Sequence, residues 1–376
     1  MQQNTRTLLF RPCLKSERRT AVRRCARNIL TQPVKGYFAD KTQWERANDK
    51  ERALAQIQAI ASTHRLWPVC SISAAALLGA MCSNPLLYKY THFSVDIHTS
   101  SKRRKTLPVR FHYIKNGRTP KSLLALTKRP NPIYTPLTET LGIINGHIVT
   151  SPMQTLFDCM RMLPFEDALI ICDKLAKKYS ITYRMMLNFV KRNHGCWMAS
   201  IACFKMQFID EKSENGGESF CRARMIRAGF CKPILQKVIA NPLLSINKGK
   251  DHTFQLSRTL RPDYLWSFRN SRSEFRHIVA ELDGKSKYTD TTMLNNANAH
   301  SAQDVILKEK DRETALNLAN YKIVRFRFSE ASSRNGSDMI QKLMLAGVPR
   351  VSHWEQSKRQ RLLACRLGDC TLHRLQ

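Results

Sequence analysis

The chain has 376 residues, 43% of them hydrophobic and 24% charged, with 14 glycines and 15 prolines. Those proportions exclude a disulfide-held miniprotein, a fibre and a wholly disordered chain, and the length is enough for two ordinary domains. Charge is what departs from the ordinary: 62 Lys and Arg against 29 Asp and Glu leave +33, a self-repulsion that points to a polyanionic partner, nucleic acid first.

Residues 1–50 hold four acids, with Glu17 the single acid of the first thirty residues, and read as a basic arm or helix that touches phosphates. An organelle transit peptide has a similar composition, but basicity here persists through the next hundred residues instead of standing as a local anomaly. Residues 51–210 read as a basic α+β domain. Between Arg65 and Arg129 twelve cations face one acid, Asp96. Ser73–Met81 has the pattern of a short helix, and Phe93–Ile97 and Val109–Tyr113 those of strands. The run Lys102, Arg103, Arg104, Lys105 then tips a β-hairpin, where four cations would seat the protein on a duplex without reading bases; a solvated charged loop is the bland alternative. A strand follows Gly146, and Thr150-Ser151-Pro152 opens a helical region through Lys178. There Leu156, Met160, Leu163, Ala168, Leu169, Cys172, Leu175 and Ala176 recur at helical spacing as a packing face.

Asp210–Gly217 is polar and glycine-ended, a junction, and residues 211–330 hold fourteen of the 29 acids. A second domain over 211–347 is expected to be a mixed sheet flanked by helices. Its predicted elements are a helix Glu218–Ala228 stopped by Gly229, short strands at Lys237–Ala240 and Thr253–Leu256, strands Pro262–Phe268 and His277–Leu282, a polar loop Thr289–Gln303, a helix Asp304–Asn320 and a strand Lys322–Phe328. Residues 348–376 form a basic tail. No apolar run reaches the length of a membrane span. The twelve cysteines fall singly, without CxxC, so reduced thiols and a cytoplasmic location are expected, and Cys365 and Cys370 lack partners at zinc-finger spacing.

The acids of the second domain carry the chemistry. Arg261-Pro262-Asp263 begins one strand, and Glu281-Leu282-Asp283-Gly284-Lys285 ends the next, a spacing that fits an antiparallel hairpin turning at Arg269–Ser273. Strand alternation puts Glu281 and Asp283 on one face, with Ala280 and Leu282 on the other. With Asp263 on the neighbouring strand three carboxylates converge, and Mg²⁺ or Mn²⁺ is the usual compensation, in the manner of metal-assisted phosphodiester cleavage. The alternative is ordinary ion pairing of these acids with Arg276, Lys285 and Lys287.

Pro262-Asp263 followed by Glu281-x-Asp283 resembles the signature of the PD-(D/E)XK nuclease superfamily. Glu281-Leu282-Asp283-Gly284, Lys308-Glu309-Lys310-Asp311-Arg312 and Val324-Arg325-Phe326 together resemble its very-short-patch-repair-endonuclease-like branch. The resemblance covers residues 218–328 and implies Asp263, Glu281 and Asp283 on the metal, with Glu218 as the first-helix glutamate. The family's lysine is expected where Asp283 stands, which leaves Lys285 or Lys310 to reach the attacking water. Ser73-Ala74-Ala75, Gly146–Pro152 and Thr155-Leu156-x-Asp158 resemble actinobacterial AbiEi-type antitoxins of type IV toxin–antitoxin systems, with Gln154 where an Arg is usual. That resemblance implies DNA binding through a winged helix and repression of its own operon, with a cognate toxin as partner. The expected function is therefore a DNA-binding protein with a Mg²⁺-dependent or degenerate endonuclease-like domain. A non-catalytic regulator is the alternative, and an RNA-associated basic protein a third.

Overall fold

Residues 8–96, 107–119, 121–128, 130–243, 258–283 and 302–364 are described by the computed structural model, apart from the side chains of residues 121, 123, 124 and 302–308. The basic run Lys102, Arg103, Arg104, Lys105, the expected strand Thr253–Leu256, Lys285 and most of the polar loop after it lie outside the described residues. Two units form, one of Met1–Leu163 with Lys178–Met206, the other of Pro164–Lys177 with Gln207–Gln376. Both mix helices with small sheets, so the class is α+β. No described helix is long and apolar enough to cross a membrane. The described cysteines are all free.

The first unit opens with α1 (Lys15–Ala26) and a hairpin of β1 (Leu30–Val34) and β2 (Tyr37–Asp40), turning at Gly36 with φ +84°. Phe10 exchanges backbone hydrogen bonds with Phe38 at 2.9 Å, which ties the leading segment to β2. Asp40 caps α2 (Lys41–Arg46), and an Asn48/Glu51 capping box starts α3 (Asp49–Thr63), whose buried residues are Ala55, Ile57, Ile60 and Ala61. The expected Ser73–Met81 helix is α4 (Ser71–Leu77), buried throughout.

The strands β3 (Thr91–Val95) and β4 (Val109–Tyr113) pair in parallel, Thr91 with Val109 and Val95 with Tyr113. The expected basic hairpin is therefore wrong. Residues 96–108 hold no Gly or Asn to make a tight turn, and a parallel pair requires a connection that runs back to the starting end. Three further strands, β5 (Thr135–Pro136), β6 (Leu141–Ile144) and β7 (His147–Thr150), are antiparallel, with Asn145-Gly146 at positive φ as the β6–β7 turn. Val69 bridges Phe93 and Val149 and joins the two strand groups. Ser151 caps α5 (Pro152–Met162), inside which Asp158 accepts from Arg161 at 2.8 Å and from the Gln154 amide at 3.1 Å. The helical region expected through Lys178 forms as two helices, interrupted at Leu163-Pro164 because the residue before proline is pushed out of helical geometry. It resumes as α6 (Phe165–Tyr179), which belongs to the second unit through Lys177, and α7 (Tyr183–Arg192) and α8 (Ala199–Met206) complete the first.

In the second unit α9 (Gly216–Arg227) is capped by Asn215, and the chain leaves it through Gly229 at φ +90°. Then come β8 (Ile234–Leu235), β9 (Ile239–Ala240), β10 (Thr259–Leu260), β11 (Tyr264–Arg269), β12 (Phe275–Asp283), α10 (Ala302–Leu318), β13 (Tyr321–Arg327), α11 (Phe328–Ser332), α12 (Ser337–Ala346) and α13 (His353–Ala364). A four-stranded sheet runs β13-β12-β11-β8, with β12 parallel to β13 and antiparallel to β11, while β9 and β10 form a separate pair. Period-two alternation divides the core. Tyr264, Trp266, Ile278, Ala280, Val324 and Phe326 pack with Cys221 and Met225 of α9 and Met339 and Leu343 of α12. On the opposite face Leu265 and Val279 pack with Ala315 and Leu316 of α10.

Candidate functional site

Glu281 lies on the α10 face of β12, two residues beyond Val279. Because Ala315 and Leu316 pack on Val279, the side chain one turn earlier on α10 is aimed at Glu281. That residue is Arg312: its Nε lies 3.1 Å and one of its terminal nitrogens 2.6 Å from Glu281 Oε1, and it also donates to the Arg261 carbonyl at 2.9 Å. The parallel register places Arg325 of β13 opposite Glu281, and its guanidinium donates to Oε2 at 3.1 Å. Arg325 also pairs with Asp283 at 3.6 Å and with Glu309. Glu281 is 6% exposed, and burial raises its carboxyl above the ordinary range against the opposing pull of the two arginines.

Asp263 ends the β11 ladder. The register stops at Tyr264↔Ala280, and Asp263 Oδ2 accepts the Leu282 N–H at 2.9 Å, a backbone group that would otherwise sit unpaired past the last rung. Gln236 spans the other carboxylates, its amide 3.3 Å from Asp263 Oδ1 and 3.5 Å from Glu218 Oε2. Glu218 accepts from the Glu214 N–H at 2.8 Å and the Asn215 amide at 2.6 Å, and Tyr264 donates to the Glu218 carbonyl at 2.9 Å. Burial, with Asp263 nearby, pushes the Glu218 carboxyl up to about 7. A cavity of about 460 Å³ is lined by Glu214, Arg261, Asp263, Glu281, Asp283 and Arg312 among others.

Asp263, Glu281 and Asp283 are thus brought to one cavity, with Glu218 linked to Asp263 through Gln236. Lys310 is exposed and does not line that cavity: it stands two residues before Arg312, just over half a turn around α10, while Glu309 and Arg312 face inward. The alternative of ion pairing with Arg276 does not hold, since Arg276 bonds Glu274 at 3.2 Å. Arg312 and Arg325 stand within the sequence motifs, which assign neither of them a role. Their signal was there, an arginine one helical turn before a packed Ala-Leu pair and another in register with Glu281. Gln236 carried no signal, since it reaches the site from a short connection after β8.

Mg²⁺ binds carboxylate oxygens that are turned towards it. Both oxygens of Glu281 are held by guanidinium groups, so this donor set does not fit an ion shared by Asp263, Glu281 and Asp283 as it stands, and among the described residues no three His, Cys, Asp or Glu are placed to hold a metal. Arg312→Met is expected to lower the unfolding free energy by about 2 kcal/mol in urea titrations. The loss is less than for a fully buried pair because Arg325 stays on Glu281 and the Arg312 side chain is 31% exposed. No protein-family model, curated protein or solved structure matches the chain.

Proposed function

We propose that this chain is a duplex-DNA-binding protein whose second unit is an endonuclease-like domain with an arginine-locked acidic cluster, acting by binding and not by cleavage. The observation that carries this reading is the occupation of both Glu281 oxygens by Arg312 and Arg325. Its frame is the order helix, three strands, helix, strand over α9, β8, β11, β12, α10 and β13, which supports the PD-(D/E)XK reading of residues 218–328. The net charge of +33 supports the polyanionic partner. The likeness of residues 73–158 to AbiEi-type antitoxins adds a role in regulating a toxin operon.

One observation favours a second reading, Mg²⁺-dependent hydrolysis: Asp263, Glu281 and Asp283 share a cavity. Plasmid incubated with the purified protein and Mg²⁺ or Mn²⁺ separates the two. The binding reading expects a gel shift of the plasmid and no nicking, with Asp263→Ala and Glu281→Ala leaving the shift unchanged. Nicking that disappears in Asp263→Ala, in a variant that still melts cooperatively, would overturn it in favour of the enzyme. A promoter fragment bound more tightly than random DNA would mark a sequence-specific regulator.

A further inference from the structure

Helix α1 carries Lys15, Arg19, Arg23 and, at its C-cap, Arg27, at successive i, i+4 positions that form one stripe along the helix. Arg18 and Arg24 flank the stripe, and all six side chains are exposed. The opposite side is where the helix is anchored: Ala21 is buried, with Cys25 partly so, against Leu30 and Phe38 of the β1–β2 hairpin. Phe10 in turn is bonded to Phe38, so the helix sits on a built scaffold and not on a loose arm.

Like charges at i, i+4 destabilise a helix by about 0.2–0.5 kcal/mol a pair, and this stripe contains three such pairs in succession. Elsewhere the chain pairs several of its arginines with carboxylates, as in Arg161–Asp158, Arg222–Asp173, Arg227–Glu166 and Arg359–Glu355. On α1 it does not. Among the described residues none of the six cations forms an ion pair, and Glu17, the one acid of the helix, is spent on the cap, its Oε2 accepting from the N–H groups of Cys13 at 2.9 Å and Leu14 at 3.1 Å. Around the helix, residues 11–46 hold ten Lys or Arg and three acids, one of which, Asp40, caps α2.

We infer that α1 is the docking element for the phosphate backbone of duplex DNA. An inference of this kind rests on the binding reading above and gives it a surface. Five of the six cations are arginines, whose planar fork matches phosphate oxygens. The stripe spans about 18 Å in steps of about 6 Å, long enough to follow several phosphates along one strand. A lipid surface is the wrong partner, because an interfacial helix needs a broad apolar face and the face opposite the stripe carries the small residue Ala21, already covered.

The test uses the full chain and a short labelled duplex of random sequence, with affinity measured by fluorescence anisotropy over a series of salt concentrations. For wild type, log K falls linearly with log salt. The double variant Arg19→Gln, Arg23→Gln is expected to bind about 10- to 100-fold more weakly near physiological salt, with a slope shallower by about 2. Its circular dichroism should be unchanged, since both side chains are exposed. A variant that matches wild type in affinity and slope overturns the assignment of α1 while leaving DNA binding intact. Wild type that fails to bind the duplex at any salt overturns both readings, and a single-stranded RNA that outcompetes the duplex overturns the choice of partner.

Discussion

Arg222→Met is expected to destabilise the second unit by about 3–5 kcal/mol, read as a fall in the urea midpoint at unchanged slope. Arg222 is fully buried on α9, and its guanidinium lies 2.6 Å from Asp173 Oδ2 of α6 and also donates to the Phe208 carbonyl. Asp173 further accepts from the Ser219 hydroxyl at 2.6 Å and the Asp210 N–H at 2.9 Å. Removing the arginine strands a carboxylate, 2% exposed, that water cannot reach. A double-mutant cycle with Asp173→Asn isolates the pair, and the double variant should lose less than the sum of the two single ones. A loss under about 1 kcal/mol for Arg222→Met would show that the pair is not what holds α9 on α6.

The second large effect is a pH dependence. In the folded protein the Glu218 carboxyl titrates at about 7 instead of its ordinary 4.5, with burial the main cause. A carboxyl raised on folding binds its proton more tightly in the native state, so its contribution to stability is fully present below the unfolded value and is lost as pH climbs through the folded one. The unfolding free energy of wild type relative to Glu218→Gln should therefore decline by about 3 kcal/mol between the two values, most of it gone by neutral pH. Urea titrations of the two proteins at a series of pH values measure this directly. A difference that stays flat from acid to neutral pH would mean that Glu218 is solvated in the folded state.

Much of the second unit was legible in the sequence because its elements announce themselves locally. The strand-forming runs around Trp266 and Ile278, separated by a polar turn, had one plausible arrangement, and β11 and β12 adopt it with Arg269 opposite Phe275. Alternation likewise assigned Glu281 and Asp283 to the face opposite Leu282, which packs into the α9 side of the core. The expected β3–β4 hairpin failed for the complementary reason. Two apolar runs joined by a charged connection look the same in sequence whether the chain doubles back at once or crosses to begin a parallel strand, and the choice lies in hydrogen bonds between distant residues.

Composition and periodicity alone determined the electrical character of the protein, the α+β mixture, the helix start at Ser151-Pro152, and the candidacy of Asp263, Glu281 and Asp283. All of these depend on residue type and spacing over a few positions. What surrounds Glu281 was decided only by tertiary structure, since Arg312 and Arg325 stand 31 and 44 residues away in sequence and meet it through the packing of α10 and the parallel register of β13. The same carboxylate pattern could have faced water, a metal ion or a guanidinium. Which of these it meets depends on side chains brought in from other strands and helices, and no local pattern encodes that.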